Sequence, residues 1–225
     1  MLQTQFLMLS YVNTAVLIAA FIYGVVNVLV KKGASYFKFY VCAVGCYALA
    51  ELLRLTYYLC YGEQAELTGM FSIGYFGCFL FALSACRKPF DSIVDDRSKT
   101  FRKYRVAAIF APAIIVVLTF FSYFPVRASL SDRAVAVIVL LSLPKLAASY
   151  YNFKHLIMPD MGYGFIKNVR LCNIFALLMY VVDSFYTYAA VVSNRAFVLA
   201  GGLVLNVCCI GLIAAAKRGM KLWKA

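Results

Sequence analysis

The chain of 225 residues is 64% apolar or aromatic and 14% charged, and its 22 Lys and Arg against 9 Asp and Glu give a net charge of +13. Soluble domains run near 45–50% apolar and roughly 25% charged. A mean hydropathy of +0.84 therefore excludes a soluble enzyme, a disordered chain and a small secreted disulfide scaffold. The length suits one domain of six to eight membrane spans at about 20 residues each.

Seven apolar segments follow in chain order. The first, Leu9–Val30, has no basic residue ahead of it and is too long for a signal-peptide core, so it reads as an anchor rather than a cleaved leader. Phe39–Cys60 carries Glu51 and Arg54 in its interior. Thr68–Cys86 is marked by Gly69, Gly74 and Gly77, small residues that let helices approach closely. Val106–Phe124 carries no charge. Ala134–Phe153 holds Pro144 beside Lys145, with Ser142 and Ser149 flanking, and the proline predicts a bend that shapes a cavity at the lysine. Leu171–Val192 carries Asp183, and Ala196–Ala216 carries Asn206 near its centre, one turn from Gly202 and facing a neighbouring helix. Each segment is long enough, or nearly so, to cross a hydrocarbon core of ~30 Å as a helix. None has the alternating pattern of a membrane β-barrel. The predicted fold is an all-α integral membrane protein, a single seven-helix bundle spanning 1–225.

The basic residues sort by connection. Lys31, Lys32 and Lys38 follow the first segment, and Arg87, Lys88, Arg97, Lys99, Arg102, Lys103 and Arg105 follow the third. Lys154, Lys167 and Arg170 follow the fifth, and Lys217, Arg218, Lys221 and Lys224 follow the seventh. Those seventeen share one side, against Arg127, Arg133 and Arg195 on the other. The split predicts the N-terminus outside and the C-terminus in the cytoplasm, in a plasma membrane. The +13 is thus topological, and no nucleic-acid partner is expected. The longest connection, 87–105, interleaves Phe90, Ile93, Val94 and Phe101 with charges. It is predicted to lie on the inner leaflet, or alternatively to dock a partner. Only about nine residues follow the last span, so signalling would run through a separate partner reached by 87–105 or 217–225, unless the chain is a fragment.

The chemical inventory narrows the field further. A single histidine, His155, excludes bis-histidine haem ligation, a histidine zinc site and a Ser–His dyad in the membrane. Of eight cysteines only Cys60 lies near the outer side, so no disulfide framework is expected. Cys42 and Cys46, four apart, pack rather than bind metal, and Cys86 and Cys172 stand at the inner boundary, where acylation occurs in eukaryotes. The last span has no lysine and the chain's one tryptophan is Trp223, which argues against retinal. No cofactor and no catalytic motif is found.

The candidate site is at mid-depth. Glu51, Arg54, Lys145 and Asp183 lie inside spans, where a charge facing lipid costs at least ~2.5–3.5 kcal/mol. They must point inward and pair, whether in one pocket or as two separate pairs. Tyr47 and Tyr58 share a helical face with Glu51 and Arg54, and Tyr180 and Tyr186 share one with Asp183. With Asn206, these nine residues outline an aromatic-lined polar pocket for a small ligand. A purely structural role for the ion pairs is the competing reading.

The run Gly45-Cys46-Tyr47-Ala48-Leu49-Ala50-Glu51-Leu52, then Gly74-Tyr75-Phe76-Gly77 and the basic turn Arg87-Lys88, resembles the seven-span sensor modules at the N-terminus of some bacterial histidine kinases and diguanylate cyclases. Those modules share the predicted orientation but precede an output domain. The resemblance implies a sensor or receptor that couples a bound ligand to a cytoplasmic or membrane partner. The alternatives are a small-solute or ion transporter using the buried charges, and a non-catalytic subunit of a membrane complex; a lipid-acting enzyme ranks last.

Overall fold

A computed structural model describes residues 2–61, 71–87, 91, 95, 97–124, 130–159, 166–191 and 195–223. They are mostly helical, with no strand among them. Helix α1 covers Leu2–Gly24, α2 Ser35–Tyr61 and α3 Phe71–Cys86. A short helix α4 (Arg102–Ala107) leads into α5 (Phe110–Tyr123), followed by α6 (Asp132–Ile157), α7 (Ile166–Val191) and α8 (Arg195–Leu222). Six stretches are long and apolar enough to cross a membrane, and Ser72–Cys86 is a shorter apolar helix. The protein is a multi-pass helical membrane protein: in lipid each backbone polar group must bond within its own segment, and these helices do so.

Two features depart from the predicted spans. The α1 segment does not end as an α-helix but runs into a π-turn, Val25–Leu29, closed by the Val30 amide donating to the Val25 carbonyl at 3.1 Å. The fourth span is broken at Ala108–Ile109, where Ile109 donates to Val106 in a tight i,i+3 bond. Pro112 is the cause: it lacks an N–H and its ring crowds the carbonyl of Ala108, so α5 restarts just before it. Pro144, by contrast, is buried inside an unbroken α6.

The helices pack α1–α2–α3–α6–α7–α8, with α8 returning to α1 and crossing α2; α5 lies against α6 and α7. That outlying place leaves Phe110, Val117, Phe120 and Phe121 exposed, as a lipid-facing helix requires. Glycines set the closest approaches. A Cβ at Gly74 would lie 2.8 Å from the Ala50 Cβ and 3.0 Å from the Cys46 carbonyl, so α3 and α2 touch backbone to backbone. Gly211 likewise admits the Phe175 ring, joining α8 to α7.

Contacts between distant segments define one basic end of the bundle. There Met220 packs on Gly33, Tyr36 reaches Asn173 and Cys86 reaches Asn152, which gathers residues 30–34, Arg87 and the ends of α3, α6 and α8. At this end Asp95 accepts from Arg105 at 2.8 Å and from Lys154 at 3.1 Å, and Asp91 pairs with Lys154 and with His155 Nε2 at 3.0 Å. Lys154 and Asp95 are both buried. The described part of 87–105 is thus pinned to α6 through its acids, while Arg87, Arg97, Lys99, Arg102 and Lys103 face outward. Phe90, Ile93 and Val94, on which the amphipathic reading rests, lie outside the described residues. Arg97 adopts φ +62° and its amide bonds the Asp95 carboxylate at 3.0 Å, an unusual backbone for a non-glycine residue that the Asp95 cluster holds in place.

Candidate functional site

Glu51 is buried in α2 with its carboxylate bonded from two helices. Arg54, one turn on, donates to Oε2 through Nη2 at 2.6 Å and Nε at 3.1 Å. Tyr75 of α3 donates to Oε1 at 2.6 Å. The Gly74–Ala50 contact brings α3 near enough for that bond, so the small residue and the tyrosine act together. Tyr47, one turn before Glu51, is buried with its ring centroid 5.5 Å from that of Tyr75. On the other side a cavity opens between α1, α2 and α8, lined by Ser10, Asn13, Leu17, Tyr47, Glu51, Arg54, Leu199, Gly202 and Asn206. Asn206 does face a neighbouring helix: its Nδ2 donates to Asn13 Oδ1 at 3.1 Å. The cavity measures about 20 Å³, room for a water or a single ion. Drug-sized pockets run to roughly 300–1,000 Å³.

Lys145 and Asp183 form a second pair between α6 and α7. Lys145 Nζ donates to Asp183 Oδ2 at 3.0 Å and to Ser184 Oγ at 3.1 Å, and stands 5.7 Å above the Phe79 ring of α3. Ser184 turns its own hydroxyl to the Tyr180 carbonyl at 2.9 Å. From α5, Thr119 reaches Ser184 at 3.5 Å. The four mid-depth charges therefore form two pairs on different sides of the bundle, one among α1, α2, α3 and α8, the other among α3, α5, α6 and α7. The described cavity belongs to the first pair rather than to Lys145.

The tyrosines divide the same way. Tyr47 lines the Glu51 cavity. Tyr58 is half-buried further along α2 and is not one of the cavity residues. Tyr180 is fully buried beside Phe79, ring centroids 5.8 Å apart, and its hydroxyl accepts from Asn152 Nδ2 at 3.1 Å. The side chain of Tyr186 lies outside the described residues.

Tyr180 opens onto a buried polar network that sequence reasoning missed. Tyr40 donates to Asn152 Oδ1 at 2.9 Å and Tyr36 to Asn173 Oδ1 at 2.8 Å. The Cys86 thiol also meets Asn152 Oδ1, and lies 3.1 Å from the Tyr40 hydroxyl. These groups join α2, α3, α6 and α7 where apolar packing alone would leave the helices free to slide. A signal was present: Asn152 and Asn173 interrupt apolar segments, and Tyr36 and Tyr40 extend the face that carries Tyr47 and Glu51. The same burial corrects the acylation reading, because Cys86 and Cys172 are both enclosed and offer no thiol to a lipid-transferring enzyme. Ser10 and Asn13 of the cavity were missed for a similar reason, as isolated polar residues in the first apolar segment.

Compared with protein-family models, with curated proteins and with solved structures, the chain finds no match.

Proposed function

We propose that the chain is a seven-span sensor or receptor-like protein of the plasma membrane, N-terminus outside and C-terminus in the cytoplasm, that takes a small polar ligand at the Glu51 cavity. The observation that carries this reading is the cavity itself: a buried carboxylate, a half-exposed guanidinium and two asparagines converge from three helices on one space. Carboxylate and guanidinium side by side suit a ligand with both a donor and an acceptor group. A ligand larger than a water must part Asn13 from Asn206, moving α1 against α8. The far end of α8 carries Lys217, Arg218 and Lys221, so the displacement reaches the face where a cytoplasmic or membrane partner would sit. Coupling to a partner is also what the likeness of the Gly45–Leu52 and Gly74–Gly77 runs and the Arg87-Lys88 turn to bacterial sensor modules implies.

The test is a thermal-shift screen of purified protein against a panel of small carboxylates, amines and sugars. The screen is repeated on Glu51→Gln and Asp183→Asn, each checked for monodisperse elution. A compound that stabilises wild type and Asp183→Asn but not Glu51→Gln supports the assignment. Equal shifts in all three proteins sink it.

The buried Lys145–Asp183 pair favours a second reading, ion or proton transport, since an ionisable pair inside a bundle is a common element of such pathways. Flux into proteoliposomes that Asp183→Asn abolishes, with Glu51→Gln still active, would select it.

A further inference from the structure

We infer that the groove between α1 and α8 at the basic end is a binding site for an anionic phospholipid. The groove has a volume of about 550 Å³ and is open to the outside of the bundle, against about 20 Å³ for the Glu51 cavity. Its lining changes character along its length. Val16, Ala20, Ile210, Ile213 and Ala214 form the inner part; Lys217, Arg218 and Lys221 form the part nearest the basic end. On α8 these positions recur at helical spacing, so one face passes from apolar to cationic over the seven residues from Ile210 to Lys217, about 10 Å. That gradient matches an amphiphile: acyl chain along the apolar stretch, phosphate at the cations. Among the described residues no acid lines the groove, so its described walls carry three cations and no carboxylate, and the complementary charge is negative.

Tyr23 shapes the junction. Its ring lies 4.6 Å from Lys217 Nζ, and its hydroxyl also contacts that ammonium. The lysine is thereby held over the groove mouth rather than extended into solvent. The π-turn Val25–Leu29 begins just after Tyr23, and Asn27 Nδ2 donates back to the Tyr23 carbonyl at 3.0 Å. Such π-turns are frequent at functional sites. Gly33 against Met220 brings the Lys31–Lys32 segment alongside the same end of α8. Trp223, partly exposed one turn beyond Gly219, suits the headgroup level. The inference does not depend on what the Glu51 cavity binds.

The experiment uses the full chain in neutral detergent, titrated with phosphatidylglycerol, phosphatidylcholine or soluble glycerol 3-phosphate. Lipid retention is read by native mass spectrometry and stability by thermal unfolding. Three variants accompany wild type. The first is the groove triple Lys217→Gln/Arg218→Gln/Lys221→Gln. The second is a charge-matched triple at the same end, Lys99→Gln/Arg102→Gln/Lys103→Gln. The third, Ala214→Trp, fills the apolar stretch and keeps all three cations. Phosphatidylglycerol is expected to be retained and stabilising in wild type and the charge-matched triple. It should bind roughly a hundredfold more weakly in the groove triple, which loses all three cations, and several-fold more weakly in Ala214→Trp. The inference is overturned if phosphatidylcholine binds as well, if glycerol 3-phosphate alone reproduces the shift, or if both triples weaken equally. Unchanged binding in the groove triple or in Ala214→Trp overturns it too.

Discussion

Removing Lys145 alone should cost more than removing Lys145 and Asp183 together. Lys145 is 3% exposed and its ammonium donates to Asp183 and to Ser184. In Lys145→Met the side chain keeps its length and apolar stem, but the Asp183 carboxylate loses the cation that faces it. Breaking one partner of a buried pair costs about 3–5 kcal/mol. Asp183 keeps 16% of its side chain exposed, so solvation offsets part of the loss and the lower part of that range, about 3–4 kcal/mol, is expected. In Lys145→Met/Asp183→Leu no charge is left stranded, and the loss should shrink to within about 1 kcal/mol of wild type, since replacing a whole buried pair with apolar groups is often neutral. The assay is reversible unfolding in mixed micelles with increasing denaturing detergent, read by helicity. All four corners of the cycle are needed to extract the coupling term. A double variant no more stable than Lys145→Met would refute the pairing as an energetic unit. The same result would show that the Ser184 and Phe79 contacts, rather than the charge, hold Lys145.

The remaining expectations concern packing, acid and sidedness. Gly74→Val places methyls where a bare Cβ already lies 2.8 Å from Ala50. It should destabilise by about 1–3 kcal/mol in the same assay, and Ala50→Gly should recover part of that; no loss in Gly74→Val would mean α3 does not sit this close. Burial alone would raise the Asp91 carboxyl, but the bonds from His155 and Lys154 outweigh it and hold the group below the usual carboxylate range. Its contribution is therefore present above the unfolded value near ~3.9 and lost as pH falls through the lower folded value. Stability measured from pH 6 to pH 3 should fall more steeply in wild type than in Asp91→Asn, and parallel curves would contradict the arrangement. In the proposed orientation Cys60, exposed at the far end of α2, takes a membrane-impermeant maleimide on intact cells while Cys86 and Cys172 do not; labelling of Cys60 only after lysis would reverse the orientation.

What the sequence determined by itself is the class of molecule and the list of residues that must be explained. Apolar length in lipid forces helices, because no water is present to satisfy the backbone. Charge in that environment is costly, so Glu51, Arg54, Lys145 and Asp183 had to turn inward. The near neighbours on one helix were also legible: Glu51 and Arg54 are three apart, and a 3.6-residue repeat puts them together. Helical periodicity says which face a residue occupies, not which helix that face meets. Only the tertiary structure decided that Tyr75 completes the Glu51 carboxylate, because that bond depends on Gly74 letting two backbones touch. It alone also brought Ser184 to the Lys145–Asp183 pair, set that pair away from the Glu51 cavity, and tied Tyr36, Tyr40, Cys86, Asn152, Asn173 and Tyr180 into one network across four helices. The described ones among the seventeen basic residues read as one surface were sorted there too. Arg105 and Lys154 turn in to Asp91 and Asp95, since a carboxylate close at hand holds a cation more firmly than water does, while Lys217, Arg218 and Lys221 stay at the mouth of a groove that no acid among the described residues lines.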